Sequence, residues 1–98
     1  LQALGFCYAV GFVANAAARG IELTAMEYEL EGDLDVRPFL GLAGPRAGFT
    51  EVRAKGWVSS PNATKEQLVE LCQYVQDTSP VRDSLANPVP VTTMLEVR

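Results

Sequence analysis

LQALGFCYAVGFVANAAAR, residues 1–19, is the stretch that decides the fold. Only Gln2, Asn15 and Arg19 carry side chains that ask for water, and one thiol, Cys7, sits among Leu, Ala, Val, Phe, Tyr and Gly. The alanine content favours helix, and Gly20 directly after Arg19 supplies a C-terminal stop. Cys7, Gly11, Ala14 and Ala18 recur at spacings of 4, 3 and 4, a stripe of small residues that a neighbour can approach closely. Leu1, Tyr8, Phe12 and Val13 lie on other faces, so the helix is apolar nearly all round and is expected to be buried nearly all round. About nineteen residues would just span a bilayer. Small residues dominate the segment, however, Gln2 and Asn15 interrupt it, and amphipathic elements follow. It reads as the central helix of a soluble protein.

Beyond Gly20 the period changes to two. Met26, Tyr28, Leu30, Gly32, Leu34 and Val36 alternate with Glu27, Glu29, Glu31, Asp33 and Asp35, a strand with one core face and one acidic face. Five carboxylates in a row suggest a metal site or, more simply, a solvated strand face. The next strand, Thr50–Ser59, favours the second reading, because antiparallel pairing would set Arg53 and Lys55 across from the acids. The connection Arg37–Phe49, RPFLGLAGPRAGF, is too long for a tight hairpin and carries Phe39, Leu40, Leu42 and Phe49. A long loop with apolar residues either packs under its own side chains or covers a site, and both readings stay open.

Thr64 and Gln67 fit a capping box that opens a helix. Leu68, Leu71, Cys72 and Val75 follow as its buried stripe, which makes Cys72 a small core residue. Ser79 before Pro80 reads as the N-cap and first residue of a short helix ending near Asn87–Pro88. Val89–Val97 reads as a last strand, with Pro88 and Pro90 placing its start at an edge. The class is α+β, an antiparallel sheet packed on a long buried central helix and a second amphipathic helix, in the order α-β-β-α-α-β.

The 98 residues, 48% hydrophobic and 20% charged, fit one globular domain. A net charge of −4 with scattered basic residues argues against a nucleic-acid partner. No histidine is present, which removes the commonest general base and metal ligand, and no cofactor or metal is expected. Two cysteines are too few for a disulfide scaffold, so a reducing, cytoplasmic compartment is expected, with no signal peptide and no membrane partner. The chain opens on Leu1 with a helix already under way, so its beginning is not expected to be the natural start of the fold.

Three segments together carry a family likeness: ALGFCYAVGF, then RGIELTAMEYELEGDLD, then SPVRDSLANPVPV. They resemble the osmotically inducible protein C and organic hydroperoxide resistance (OsmC/Ohr) family. The likeness runs over essentially the whole chain but over only the C-terminal part of the family's fold, as a single domain, 1–98, lacking the N-terminal strands. It implies that Cys7 is the residue that attacks a hydroperoxide, and that the position of the resolving cysteine is taken by Ser79. It also implies an Arg and a Glu, supplied ahead of the central helix, that activate the thiol, and an intertwined homodimer with sites at the subunit interface.

An all-apolar setting disfavours a thiolate, so Cys7 needs a nearby cation. Arg37 or Arg46 would reach it only if the long loop folds back. Two functions follow. One is thiol-dependent reduction of apolar organic hydroperoxides through Cys7, with Phe39, Leu40, Leu42 and Phe49 shaping the pocket and an outside thiol resolving the product. The other is a non-catalytic homodimer of the same fold that binds an apolar small molecule.

Overall fold

A computed structural model describes residues 1–97. Helix α1 (Gln2–Ala18) ends as the sequence suggests. Gly20 adopts φ +68°, and the Ile21 and Gly20 amides donate to the carbonyls of Ala16 and Ala17 at 2.9 and 3.2 Å. These paired bonds close a Schellman cap, which a residue with a Cβ would strain. Strands β1 (Ala25–Leu34) and β2 (Phe49–Ser59) form a two-stranded antiparallel sheet. Helix α2 (Lys65–Thr78) opens on the expected box: the Gln67 amide donates to Thr64 Oγ1, and the Thr64 amide donates to Gln67 Oε1. Helix α3 (Pro80–Ala86) starts from Ser79, whose hydroxyl oxygen accepts from the Arg82 amide at 3.2 Å.

The core lies where α1 meets the sheet and α2. Leu4, Tyr8, Phe12 and Ala16, each four residues apart, are buried with Leu71 and Val75, while Met26, Tyr28, Leu30, Val52 and Val58 pack against them from the sheet. Burying Phe12 and Leu71 almost completely contributes on the order of 1.5–3 kcal/mol each. The small-residue stripe works over its first half. A Cβ on Gly11 would meet Val75 Cγ1 at 3.2 Å, and Cys7, one turn earlier, meets Ser79, one turn later on the other side. Four steps forward on α1 thus match four steps back to α2, so the two run antiparallel in close contact. Ala14 and Ala18 remain exposed.

Three features depart from the sequence reading. The helix α1 is buried on one face only: Phe6 is 72% exposed, and Val10 and Val13 are exposed beside it. Two strands and one amphipathic helix have no further apolar surface to place there. Cys72 is exposed rather than part of the α2 core stripe, which is completed by Leu71 and Val75. Residues 88–97 do not form the expected closing strand. They are without regular structure and unpaired among the described residues, with Val91, Met94, Leu95 and Val97 exposed. Alternating side chains make a strand only where a sheet edge accepts its amides and carbonyls, and β1 and β2 pair only with each other.

The result is an extended molecule. Its radius of gyration is 17.5 Å, where a compact chain of this length has about 13 Å. Its accessible surface is 7530 Å², where a compact monomer of this mass exposes about 5,500 Å². No helix among the described residues is long and apolar enough to cross a membrane.

On the outer sheet face the register sets Glu31 opposite Arg53 and Glu29 opposite Lys55, as the alternation requires. Arg53 bonds Asp33 at 2.9 and 3.1 Å and pairs with Glu51 at 3.0 Å and Glu31 at 3.5 Å. Lys55 instead lies over Trp57, its neighbour on the same strand face, 5.0 Å from the ring centre. A planar guanidinium engages several carboxylates at once, whereas the single ammonium gains more over the indole. No group of acids among the described residues is placed to hold a metal ion.

This ladder predicts an acid dependence. Hydrogen bonds from Arg53 hold Asp33 below the usual carboxylate range, and bonds from Arg37 do the same for Asp35. A depressed folded value stabilises above the unfolded value of about 4 and is lost as pH falls through the folded one. Asp33, Arg37 and Arg53 are exposed and Asp35 is only half-buried, so the effect is small and screened by salt. Urea midpoints at low salt are expected to fall below pH about 4, and to fall less in Arg53→Gln. Divalent metal should leave the melting temperature of either protein unchanged.

Candidate active site around Cys7 and Ser79

Cys7 sits in the second turn of α1, half-buried, and Ser79 sits at the junction of α2 and α3, 5% exposed. Their Sγ and Oγ atoms are 3.1 Å apart, with either atom as donor. The contact exists because of two local rules already visible in the sequence. The glycine at position 11 lets α2 approach α1, and the break between α2 and α3 at Ser79–Pro80 turns the serine inward as an N-cap. The Arg82 amide takes one lone pair of Ser79 Oγ, so the hydroxyl hydrogen is left to donate to sulfur once Cys7 is ionised.

A cleft of about 820 Å³ opens between α1, β2, α3 and the end of the long loop; Cys7 and Ser79 do not line it but adjoin its lining residues Tyr8 and Arg82. Leu4 and Tyr8 of α1, Phe49 of β2, Arg46 and Arg82 line it. Its floor holds Tyr8 and Tyr28, their rings 5.6 Å apart and tilted by 40°. Burial pushes the Tyr28 hydroxyl up to about 12, reinforced by the Cys72 thiol beside it. Burial also raises Tyr8, while the Arg82 charge acts the other way and Cys72 and Cys7 add to the rise. Both phenols therefore stay protonated at neutral pH and present hydroxyl donors. Cys72 lines this cleft and also a more apolar one of about 580 Å³ between the sheet and α2.

Of the residues singled out from the sequence, Cys7 and Ser79 are in direct contact and Phe49 lines the adjoining cleft. Phe39, Leu40 and Leu42 stand on the loop at 85%, 64% and 59% exposure and touch neither cleft lining. The loop brings Arg46 back to the cleft, while Arg37 is held by the Asp35 carboxylate next to it. Arg82, Tyr8 and Tyr28 were not legible as site residues. For Arg82 a signal existed: it lies three residues after the capping serine, so its amide had to point at Ser79 Oγ.

A family model described as OsmC-like protein matches residues 1–94. Among curated proteins none matches. The crystal structure of an OsmC-like protein from Mycoplasma pneumoniae superposes with a TM-score of 0.74 at 20% identity, covering 90% of this chain and 59% of that one. An OsmC-like protein of unknown function from Vibrio cholerae superposes with a TM-score of 0.64 at 16% identity, covering 85% of this chain and 53% of that one. At these identities the superpositions establish the fold. The chain spans a little over half the length of the structures it matches.

Proposed function

This chain belongs to the OsmC-like protein family, and we propose that it reduces organic hydroperoxides through Cys7. The single observation that carries the reading is the 3.1 Å contact between Cys7 Sγ and the buried Ser79 Oγ. A lone hydroxyl donor aimed at sulfur stabilises a thiolate as it attacks and gives a fixed direction to the S–O bond that forms. Cys7 as thiolate attacks the outer oxygen of the hydroperoxide. The O–O bond breaks, the alcohol leaves with a proton, and Cys7 is left as sulfenic acid. Ser79 cannot close a disulfide, so the sulfenic acid is resolved by a thiol from outside the chain. Two free cysteines suit the reducing, cytoplasmic setting in which such a thiol is plentiful.

The same reading includes a homodimer. The exposed stripe Phe6, Val10 and Val13 and the exposed Val91, Met94, Leu95 and Val97 of the unpaired segment 89–97 are surfaces that a second copy would cover. The surface in excess of a compact monomer, about 2,000 Å² by the size scaling, is enough for a specific interface, which needs roughly 1,000 Å² or more.

Activity is tested by following consumption of cumene hydroperoxide with a small thiol supplied. Turnover is expected to be slow, to vanish in Cys7→Ser and to persist in Cys72→Ser. Loss of turnover in Cys72→Ser with retention in Cys7→Ser would reverse the assignment. No turnover in either the parent or the variants would favour the non-catalytic dimer that binds an apolar small molecule.

A further inference from the structure

We propose that the cleft beside Cys7 and Ser79 binds a small anionic thiol, one carrying carboxylates, as the reductant that resolves Cys7. The inference rests on the hydroperoxide reading for its place in the reaction, but the site itself is argued from charge and geometry. The chain has net charge −4, yet the cleft gathers Arg46 and Arg82, and neither makes an ion pair among the described residues. Outside the cleft, Arg37 is paired with Asp35, Arg53 with Glu31, Asp33 and Glu51, and Arg19 lies over the Tyr74 ring, 4.9 Å from its centre. Glu51 is the one carboxylate that lines the cleft, and it is the group that Arg53 holds at 3.0 Å. Arg46 and Arg82 thus share the cleft with the two phenols, Tyr8 and Tyr28. A carboxylate entering there meets guanidinium and hydroxyl groups together, the donor set that suits it.

Position and need agree. Arg82 is joined to the reacting pair through its own amide on Ser79 Oγ, and Leu4 and Tyr8 of the lining flank Cys7 on α1. A volume of about 820 Å³ lies within the range of small-molecule sites, roughly 300–1,000 Å³. The chain supplies no thiol at the place of Ser79. Its other cysteine, Cys72, lies seven residues back along α2, about 10 Å by helix rise, which is beyond disulfide reach for a sulfur held at Ser79.

The chemistry balances with two such thiols. The first attacks the Cys7 sulfenic sulfur, forming an S–S bond as the S–O bond breaks, and its proton leaves with the hydroxyl as water. The second attacks the outer sulfur of the mixed disulfide, Cys7 departs as thiolate and takes up that thiol's proton, and the two small thiols leave joined as a disulfide. One hydroperoxide is thereby reduced to alcohol and water.

The test is chosen to work without peroxide. On a Cys72→Ser background, the rate of exchange of Cys7 with the dianionic disulfide 5,5′-dithiobis(2-nitrobenzoate) is compared with that for neutral 4,4′-dithiodipyridine. Replacing Arg46 and Arg82 together by glutamine is expected to lower the anionic-to-neutral rate ratio at least fivefold, and raising salt in the parent is expected to lower it likewise. An unchanged ratio would overturn the proposal, as would failure of Cys7 to react with either reagent while the protein remains folded by circular dichroism. A ratio that falls as expected in a protein inert to hydroperoxide would retain the anion-selective cleft and remove the peroxidase reading. Hydroperoxide turnover with an unchanged ratio would do the reverse.

Discussion

Oxidised Ser79→Cys is expected to carry an intramolecular disulfide to Cys7, seen as loss of two mass units and protection from alkylation until reductant is added. The Sγ–Oγ separation of 3.1 Å is close to what a bonded pair needs, since a sulfur at position 79 sits farther from its Cβ than the oxygen does and closes part of the gap to the roughly 2.0 Å of an S–S bond. The positions are 72 apart in sequence, and constraining a loop of that size removes on the order of 4 kcal/mol of unfolded-state entropy. Loss of the serine cap on the Arg82 amide costs about 1 kcal/mol. Urea denaturation of the oxidised variant against the parent protein is therefore expected to show a net gain of about 3 kcal/mol. The parent protein, with Cys72 two turns away, is expected to form no intramolecular disulfide under the same oxidant. Should Ser79→Cys stay reduced while Cys7 itself oxidises, the side-by-side placement of the two residues is wrong.

The second large effect concerns assembly. Phe6, Val10 and Val13 sit three or four residues apart on one face of α1, at 72%, 51% and 53% exposure. A single helix face of this kind, together with bare Val91, Met94, Leu95 and Val97, is more apolar surface than an isolated domain of this size keeps in water. For the proposed homodimer, light scattering at micromolar concentration should return twice the 10.6 kDa chain mass. Phe6→Asp with Val10→Asp would place two charges where that interface is expected and should return monomer. Because both side chains point away from the core, circular dichroism should be unchanged. A sharp monomer mass for the parent would remove the dimer from the account, and so would a dimer indifferent to both substitutions.

Much of the local structure was legible in the sequence because its causes are local. Gly20 ends α1 through a left-handed φ that only the absence of a Cβ makes easy. Thr64 with Gln67, and Ser79 with Pro80, announce helix starts through side chains that satisfy specific amides. The alternation from Met26 onward fixes which strand face meets α1 and places Glu31 opposite Arg53. What was not legible depends on partners distant in the chain. Nothing within Val89–Val97 says whether a sheet edge is free to receive it, so its strand pattern went unrealised. The outer face of α1 was read as buried because apolar side chains say that something should cover them, not what is there to do so. Cys72 differs for a related reason: its neighbour across the fold is Tyr28, where two clefts open.

The site divides in the same way. Cys7 and Ser79 enter as site residues through the family likeness, and only the cap before Pro80 has a local signature of its own. The cationic cleft was not legible, since Arg46 and Arg82 lie on different segments and meet only through the fold. The family likeness supplied the pairing of Cys7 with position 79, and the small-residue contact between Gly11 and Val75 is its physical cause.

The central proposal is that Cys7 is oxidised by an organic hydroperoxide and is not resolved by Cys72. Trapping with dimedone after one equivalent of cumene hydroperoxide, read by peptide mass spectrometry, addresses it directly. The account predicts an adduct on Cys7, none on Cys72, and, with excess peroxide and no added thiol, conversion of Cys7 to sulfinic acid. An unmodified Cys7 in a folded protein, or a Cys7–Cys72 disulfide in place of the adduct, would contradict it.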